Sequence, residues 1–297
     1  MHPAAKQPFE IHRESAGPFA GILTVRLEQP GKPVVVLDLE LIQRLEATLR
    51  ALPAAAPGFV LASASERVFV AGADLKAISE LDDGQLHRYL EYAARVFGMI
   101  ADLPYPTVAA INGAALGGGL ELAMHCDALV ASPGAKPYPV GLPEAGLSIC
   151  PGWGGTNLLP ARIDPAEAIR RTASGQTMLF EDAVAAGMFD RVARDGELLT
   201  TAKQVVLESR KPARAPGGAP SRWIGSKNPG AVIRALDAVR HELPGTESAL
   251  AVVKAVDAGL TRGWKAACEV ERNELVRLRH TAPAKAALEA FFAKSRK

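Results

Sequence analysis

Three successive glycines, Gly117-Gly118-Gly119, stand two residues before an acidic side chain, Glu121, and a second acidic residue, Glu144, occurs in the segment GLPEAGL. Glycines between an apolar run and a helix start admit two readings. One is tight strand–helix packing; the other is bare backbone that keeps its N–H groups free for a ligand. At a helix N-terminus such donors lie in the positive end of the helix dipole and suit a developing enolate-type oxyanion. Glu121, in the first turn, is either a partner of that dipole or an acid/base group. Glu144 is a loop glutamate, ordinarily surface, but Val140, Leu142, Ala145, Leu147 and Ile149 surround it in sequence. A carboxyl in such company has its pKa raised toward the range useful for proton transfer. The glycines match neither G-x-G-x-x-G nor a GK[ST] phosphate loop.

The elements that must position these groups are legible in outline. Gly21–Leu27 reads as a strand. Asp38 caps a helix that carries Leu41, Leu45, Leu49 and Leu52 on one face, ended by Pro53 and Pro57. Gly58–Ser63 is a buried strand. A longer helix from about Gly84 to Ala101 has Leu86, Leu90, Ala93, Phe97 and Ile100 as its apolar face. Pro106–Ile111 and Asp127–Ser132 are further strands, and Asp164-Pro165 opens a helix. EDAVAAGMFDRV reads as a helix broken at Gly187 and then a short strand. This alternation predicts an α/β class. Ser209–Pro229, rich in Pro, Gly, Arg and Ser, reads as a linker, and the chain beyond it has a helical pattern. The expected division is an α/β core over residues 1–200 and a helical subdomain over 201–297.

Composition narrows the function classes. The 297 residues carry 34 basic and 32 acidic side chains, a net charge of +2, with 48% hydrophobic and 22% charged residues. That balance excludes a general affinity for nucleic acid or an anionic membrane, while a local basic patch for a small polyanion remains compatible. Three cysteines, Cys126, Cys150 and Cys268, make no disulfide framework or metal-ligand spacing and suggest a reducing compartment. The first residues have no secretory apolar core, and no run has the length of a membrane span, so a cytoplasmic or organelle-matrix location is expected.

Three segments, in order, carry a resemblance: VFVAGADLKAI (Val68–Ile78), INGAALGGGLELAMHCDALVAS (Ile111–Ser132) and GLPEAGLSICPGWGGTNLLPARI (Gly141–Ile163). Together they resemble the enoyl-CoA hydratase/isomerase (crotonase) superfamily, over roughly Gly21 to Val192. The C-terminal stretch ERNELVRLRHTAPAKAALEAFFAKSRK resembles the end of the hydratase module of multifunctional fatty-acid oxidation proteins. The resemblance implies a spiral of repeated β-β-α turns with C-terminal helices that support a trimer or a dimer of trimers. It implies an acyl-CoA substrate, no metal or redox cofactor, and a separate 3-hydroxyacyl-CoA dehydrogenase as a partner. The family's two oxyanion donors map onto the N–H groups of Ala73 and Gly118. Ala71, Asp74, Leu75, Gly117 and Pro143 map beside substrate and CoA. The acid/base pair of the hydratase branch maps onto Glu121 and Glu144, and having both favours hydration over isomerisation alone. The competing readings are double-bond isomerisation, acyl-CoA hydrolysis, and an idle acyl-CoA-binding subunit.

The chain departs from the family in one place. The spacing from Glu121 to Glu144 is about three residues longer than the resemblance leads one to expect, through the proline-containing stretch SPGAKPYPVG, which reads as an outward loop. Other reactive types have plain readings: His125 and Cys126 as core, Ser148 and Cys150 without a histidine partner, Trp153 as packing. Arg210, Lys211 and Arg214 form a solvated basic loop or touch CoA phosphates. Phe291 and Phe292 cover the pocket, a subunit contact or a core.

Overall fold

Strands β2 (Leu23–Leu27), β3 (Phe59–Ser63), β5 (Thr107–Ile111) and β7 (Ala128–Ala131) pair in parallel in that order. The computed structural model describes residues 6–32, 34–213 and 218–295. β1 (Ile11–Arg13) closes one edge of this sheet antiparallel to β2, and β10 (Arg191–Val192) lies parallel to β7 at the other. These strands read as continuous apolar runs because both faces are covered. Leu23, Val25, Phe59, Leu61, Ala109, Ile111 and Leu129 join the main core. The alternate residues Ile22, Val60, Val108, Ala110 and Val130 pack on the other side with Ala202, Val205 and Val206 of helix α8 (Leu198–Glu208).

A second sheet is built from the same turns of chain. β4 (Val68–Val70), β6 (Ala114–Leu116) and β8 (Pro139–Gly141) pair in parallel, and β9 (Met178–Leu179) adds antiparallel to β8. Successive turns therefore contribute one strand to each sheet, then helical chain: β3–β4 with α2 (Leu75–Glu80) and α3 (Asp83–Ala101), β5–β6 with α4 (Gly118–Met124), β7–β8 with a 3-10 turn at Glu144–Leu147. This is the β-β-α spiral that the sequence resemblance implies.

The helices start where side chains can satisfy the first amides. Asp38 Oδ1 accepts from Leu41 N at 2.7 Å to open α1 (Leu39–Ala51). Asp82 and Gln85 form a reciprocal capping box on α3. Asp164 caps α6 (Pro165–Ser174), after the short α5 (Gly155–Leu158); α7 (Phe180–Ala185) ends just before Gly187. The Ser209–Pro229 stretch is not purely solvent-borne. Trp223 and Ile224 are buried, and the helical chain expected beyond it opens with α9 (Pro229–Val239). Then come α10 (Glu247–Arg262), α11 (Trp264–Leu278) and α12 (Ala282–Ser295). Val232, Leu236, Val252, Val256, Leu275 and Leu278 belong to the same apolar core as β2, β3 and β5. Among the described residues no helix is long and apolar enough to cross a membrane.

Candidate active site

The segment after β4 is held by backbone bonds that leave one amide out. Ala71 N donates to Val35 O at 2.8 Å, Leu37 N donates to Gly72 O at 2.8 Å, and Asp74 N donates to Leu37 O at 3.0 Å. The N–H of Ala73, between them, donates to no carbonyl among the described residues. The N–H of Gly118 likewise donates to no carbonyl among the described residues. Gly117, at φ 51°, sends its own N–H to Gly141 O at 2.9 Å and receives Leu120 N and Glu121 N on its carbonyl, which starts α4 past Gly118. Ala73 and Gly118 line one cavity of 320 Å³.

The glycine triplet meets the packing reading that the sequence allowed. A methyl group at Gly118 would fall 2.2 Å from the Trp153 ring, and one at Gly119 would fall 2.3 Å from Val70 O. Close packing thus requires those two glycines, and Gly118 lines the cavity.

Glu121 is fully buried in the first turn of α4. Its Oε1 accepts from Trp153 N at 2.8 Å and Gly155 N at 2.7 Å, whereas Oε2 has no partner among the described residues. Glu144 opens the 3-10 turn after β8; the residue is partly exposed, but its Oε2 is covered and also lacks a partner. Both glutamates line the cavity that holds the Ala73 and Gly118 amides. Burial pushes Glu144 up to about 8, with a further upward push from the charge of Glu271. Burial also raises Glu121 well above the usual carboxylate range, with repulsion from Glu271 and Glu144 next. The Gly155 and Trp153 amides oppose the rise. Two buried carboxyls beside one cavity favour a shared single proton over two charges.

The longer stretch before Glu144 lies outside this arrangement. Residues 133–137 are exposed, Tyr138 turns back inside with its hydroxyl donating to Ser132 O at 2.8 Å, and β8 rejoins the sheet beside β6. Glu144 is therefore delivered to the cavity by the sheet register rather than by the loop.

Ala71, Leu75, Gly117 and Pro143 line the same cavity. Asp74 is not among the lining residues: its Oδ1 accepts from Ala77 N at 3.1 Å as the cap of α2, and Lys32 Nζ stands 3.9 Å from its Oδ2. Trp153 forms a wall, its indole N–H donating to Leu90 O at 3.0 Å and its ring edge-on to Phe97. His125 lies at the end of α4, with Nδ1 2.8 Å from Glu121 O. Burial lowers it to about 4, so it is a neutral core histidine. Burial raises the Cys126 thiol to about 12 and the Cys150 and Cys268 thiols well above their usual value, which removes all three as nucleophiles. Lys211 pairs with the largely buried Asp127 at 2.9 Å, away from the cavity; Arg214 lies outside the described residues. Phe291 of α12 lines the cavity, and Phe292 lines a neighbouring one of 680 Å³ that shares Leu75, Ile78, Ile149 and Leu275 with it.

Sequence reasoning missed Glu271. It is fully buried on α11 and receives Gly154 N, Thr156 N at 2.9 Å and Thr156 Oγ1 at 2.6 Å. The available signal was its place on the apolar face that includes Ala267, Cys268, Leu275 and Leu278.

Comparison with known proteins points the same way as the geometry. A family model described as "Enoyl-CoA hydratase/isomerase" matches residues 18–215. A fatty acid oxidation complex subunit alpha from Shewanella amazonensis is 32% identical over 282 residues. The match takes in 92% of this chain and 39% of the relative, so the chain spans well under half of that protein's length. The crystal structure of an enoyl-CoA hydratase from Bacillus anthracis superposes with a TM-score of 0.61 at 26% identity, covering 97% of each chain. Human mitochondrial delta3-delta2-enoyl-CoA isomerase gives a TM-score of 0.68 over 96% of this chain and 98% of its own, at 19% identity, a likeness of fold alone.

Proposed function

Because the chain belongs to the enoyl-CoA hydratase/isomerase (crotonase) family, we propose that it adds water reversibly to the double bond of a 2-enoyl-CoA thioester, giving a 3-hydroxyacyl-CoA. The observation that carries this reading is the pair of buried carboxyls, each with one bare oxygen, lining the cavity that also holds two uncommitted amides.

In this reading the thioester oxygen accepts from the N–H groups of Ala73 and Gly118. Glu121 and Glu144 hold one water over the double bond. Glu121 takes a proton from the water as its oxygen bonds to C3, and Glu144 gives its proton to C2. The electron pair of the double bond forms the new C2–H bond, by way of charge delocalised onto the thioester oxygen. Each backbone donor lowers the barrier by about 3 kcal/mol, and the positioned acid and base contribute roughly 10²–10⁴-fold. The step balances with water alone and involves no redox change. Retention of both glutamates supports hydration over double-bond isomerisation as the main activity.

The Shewanella relative's name supports a fatty acyl-CoA substrate, and with it a separate dehydrogenase that consumes the 3-hydroxyacyl product. The test is a spectrophotometric hydration assay with crotonyl-CoA and longer 2-enoyl-CoA thioesters, with product analysis for isomerised double bonds. Hydration by the wild type and its loss in Glu144→Gln is the expected result. Near wild-type hydration by Glu144→Gln would overturn the assignment.

A further inference from the structure

Behind the cavity wall lies a third buried carboxyl that the proposed chemistry does not use. Glu271 does not line the cavity; Leu275, one turn later on α11, does. Between Glu271 and Glu121 runs the segment Trp153–Thr156, and its successive amides alternate. Trp153 N and Gly155 N donate to Glu121 Oε1, while Gly154 N and Thr156 N donate to Glu271. The segment is thus stretched between two carboxyls, one on α4 and one on α11. Gly154, at φ 98°, fits because a methyl there would fall 2.1 Å from the Trp264 ring. The brace continues outward: Thr156 Oγ1 donates to Glu271 and accepts from Asn157 Nδ2, which also donates to Ala255 O of α10.

We propose that Glu271 is a positioning residue for the acid/base pair. It clamps Gly154 and Thr156 so that the alternating Trp153 and Gly155 amides hold Glu121 by one oxygen and leave the other without a partner. The inference rests on the reading of Glu121 and Glu144 as that pair. A carboxyl taken out of water is costly unless donors surround it, and Glu271 has three. Remove its acceptor oxygens and two buried amides are left without partners, so the segment turns to satisfy them and carries the other two amides off Glu121. The C-terminal helices thereby set the geometry of a residue on α4.

The groups that face Glu271 are Glu121 from α4, Glu144 from the 3-10 turn and Cys150 from the loop after that turn, with Cys268 and Arg272 on its own helix. Burial raises the Glu271 carboxyl above its ordinary value, while the Thr156 hydroxyl, the Gly154 and Thr156 amides and Arg272 oppose the rise; the two thiols stay protonated. The negative charge of Glu271 is therefore felt by both members of the pair, and its removal lowers their pKa values.

The test measures kcat, KM and the pH profile of crotonyl-CoA hydration for the full chain, for Glu271→Gln and for Thr156→Val, with thermal melting alongside and Glu144→Gln in parallel. Glu271→Gln is expected to lose roughly ten- to a hundredfold in kcat, with KM within about twofold, and to have its alkaline limb displaced to lower pH. Thr156→Val keeps the charge and loses one donor, so it shows a smaller kcat loss and an undisplaced limb. A folded Glu271→Gln with wild-type kcat overturns the proposal. So does one whose kcat falls with the pH limb unmoved, since that pattern marks a purely structural role. If Glu271→Gln does not fold, wild-type kcat in Thr156→Val overturns it and a reduced kcat supports it. Wild-type hydration in Glu144→Gln overturns the acid/base reading itself and this inference with it, whatever the Glu271 variants do.

Discussion

The carboxyl of Glu144 occupies the space a side chain at residue 117 would need: a methyl group on Gly117 would fall 2.5 Å from Glu144 Oε1. Gly117 also sits at φ 51°, in the region L-residues avoid. Gly117→Ala is therefore expected to be doubly costly. The backbone strain is about 1–3 kcal/mol, and the carboxyl, being the free end of a side chain, is pushed off its position over the cavity. A fall in melting temperature together with at least a roughly tenfold loss in hydration kcat is expected. An alanine variant that melts lower but turns over at the wild-type rate would show that the Glu144 position is not critical.

Glu121 has a structural duty as well as a chemical one, and two substitutions separate them. Glu121→Ala leaves the Trp153 and Gly155 amides buried without an acceptor, at about 1–3 kcal/mol each. Glu121→Gln retains a carbonyl oxygen for them and is expected to melt closer to the wild type. Both variants are expected to lose hydration by roughly 10²–10⁴-fold. Residual double-bond isomerisation, which needs only one acid/base group, should fall less. Product analysis on a 3-enoyl thioester checks this: equal loss of the two activities contradicts the division of labour.

Burial holds Glu144 at about 8, against an ordinary 4.5. The proposed role needs the protonated form, so kcat/KM is expected to decline as pH rises through about 8. The same shift sets the sign for stability. Between the two values the folded chain keeps a proton that the unfolded chain has lost, so stability decreases as pH rises from about 4.5 to 8. Glu144→Gln carries no such proton and is expected to flatten that decline in a series of melts across pH. A wild-type stability that rises over this window would contradict the raised value.

Much of this arrangement is visible in the sequence, for identifiable reasons. Asp38 and Asp164 mark helix starts because a cap is a local device. The strands β3, β5 and β7 show as apolar runs because both of their faces are buried. Glu121 and Glu144 stand out because glycine and apolar neighbours flank them. Distant pairing is what stays hidden. β1 and β4 are too short to announce themselves, and they exist by virtue of β2 and β6. Glu271 looks like one of several charges in CEVERNELVRL until α11 is laid against Trp153–Thr156. The sequence also does not show that Asp74, read there as a substrate or CoA contact, accepts from Ala77 N in the first turn of α2.

Phe291 lines the cavity from α12, yet is 42% exposed, and Leu75 and Ile78 line it from α2. A half-exposed aromatic adds little to the stability of the fold, since much of its surface is in water in either state. Its ring lines the cavity and meets Phe292 edge-on, with centroids 5.8 Å apart. Phe291→Ala is therefore expected to leave the melting temperature nearly unchanged and kcat within about twofold, because it removes no group that acts in the transition state. KM is expected to rise by roughly three- to tenfold, corresponding to the loss of about 1 kcal/mol of apolar contact. The rise should grow with acyl chain length if the chain runs from this cavity toward the neighbouring one that shares Leu75, Ile78, Ile149 and Leu275. KM values for thioesters of increasing length measure it, and a KM unchanged at every length would show that α12 does not cover bound substrate.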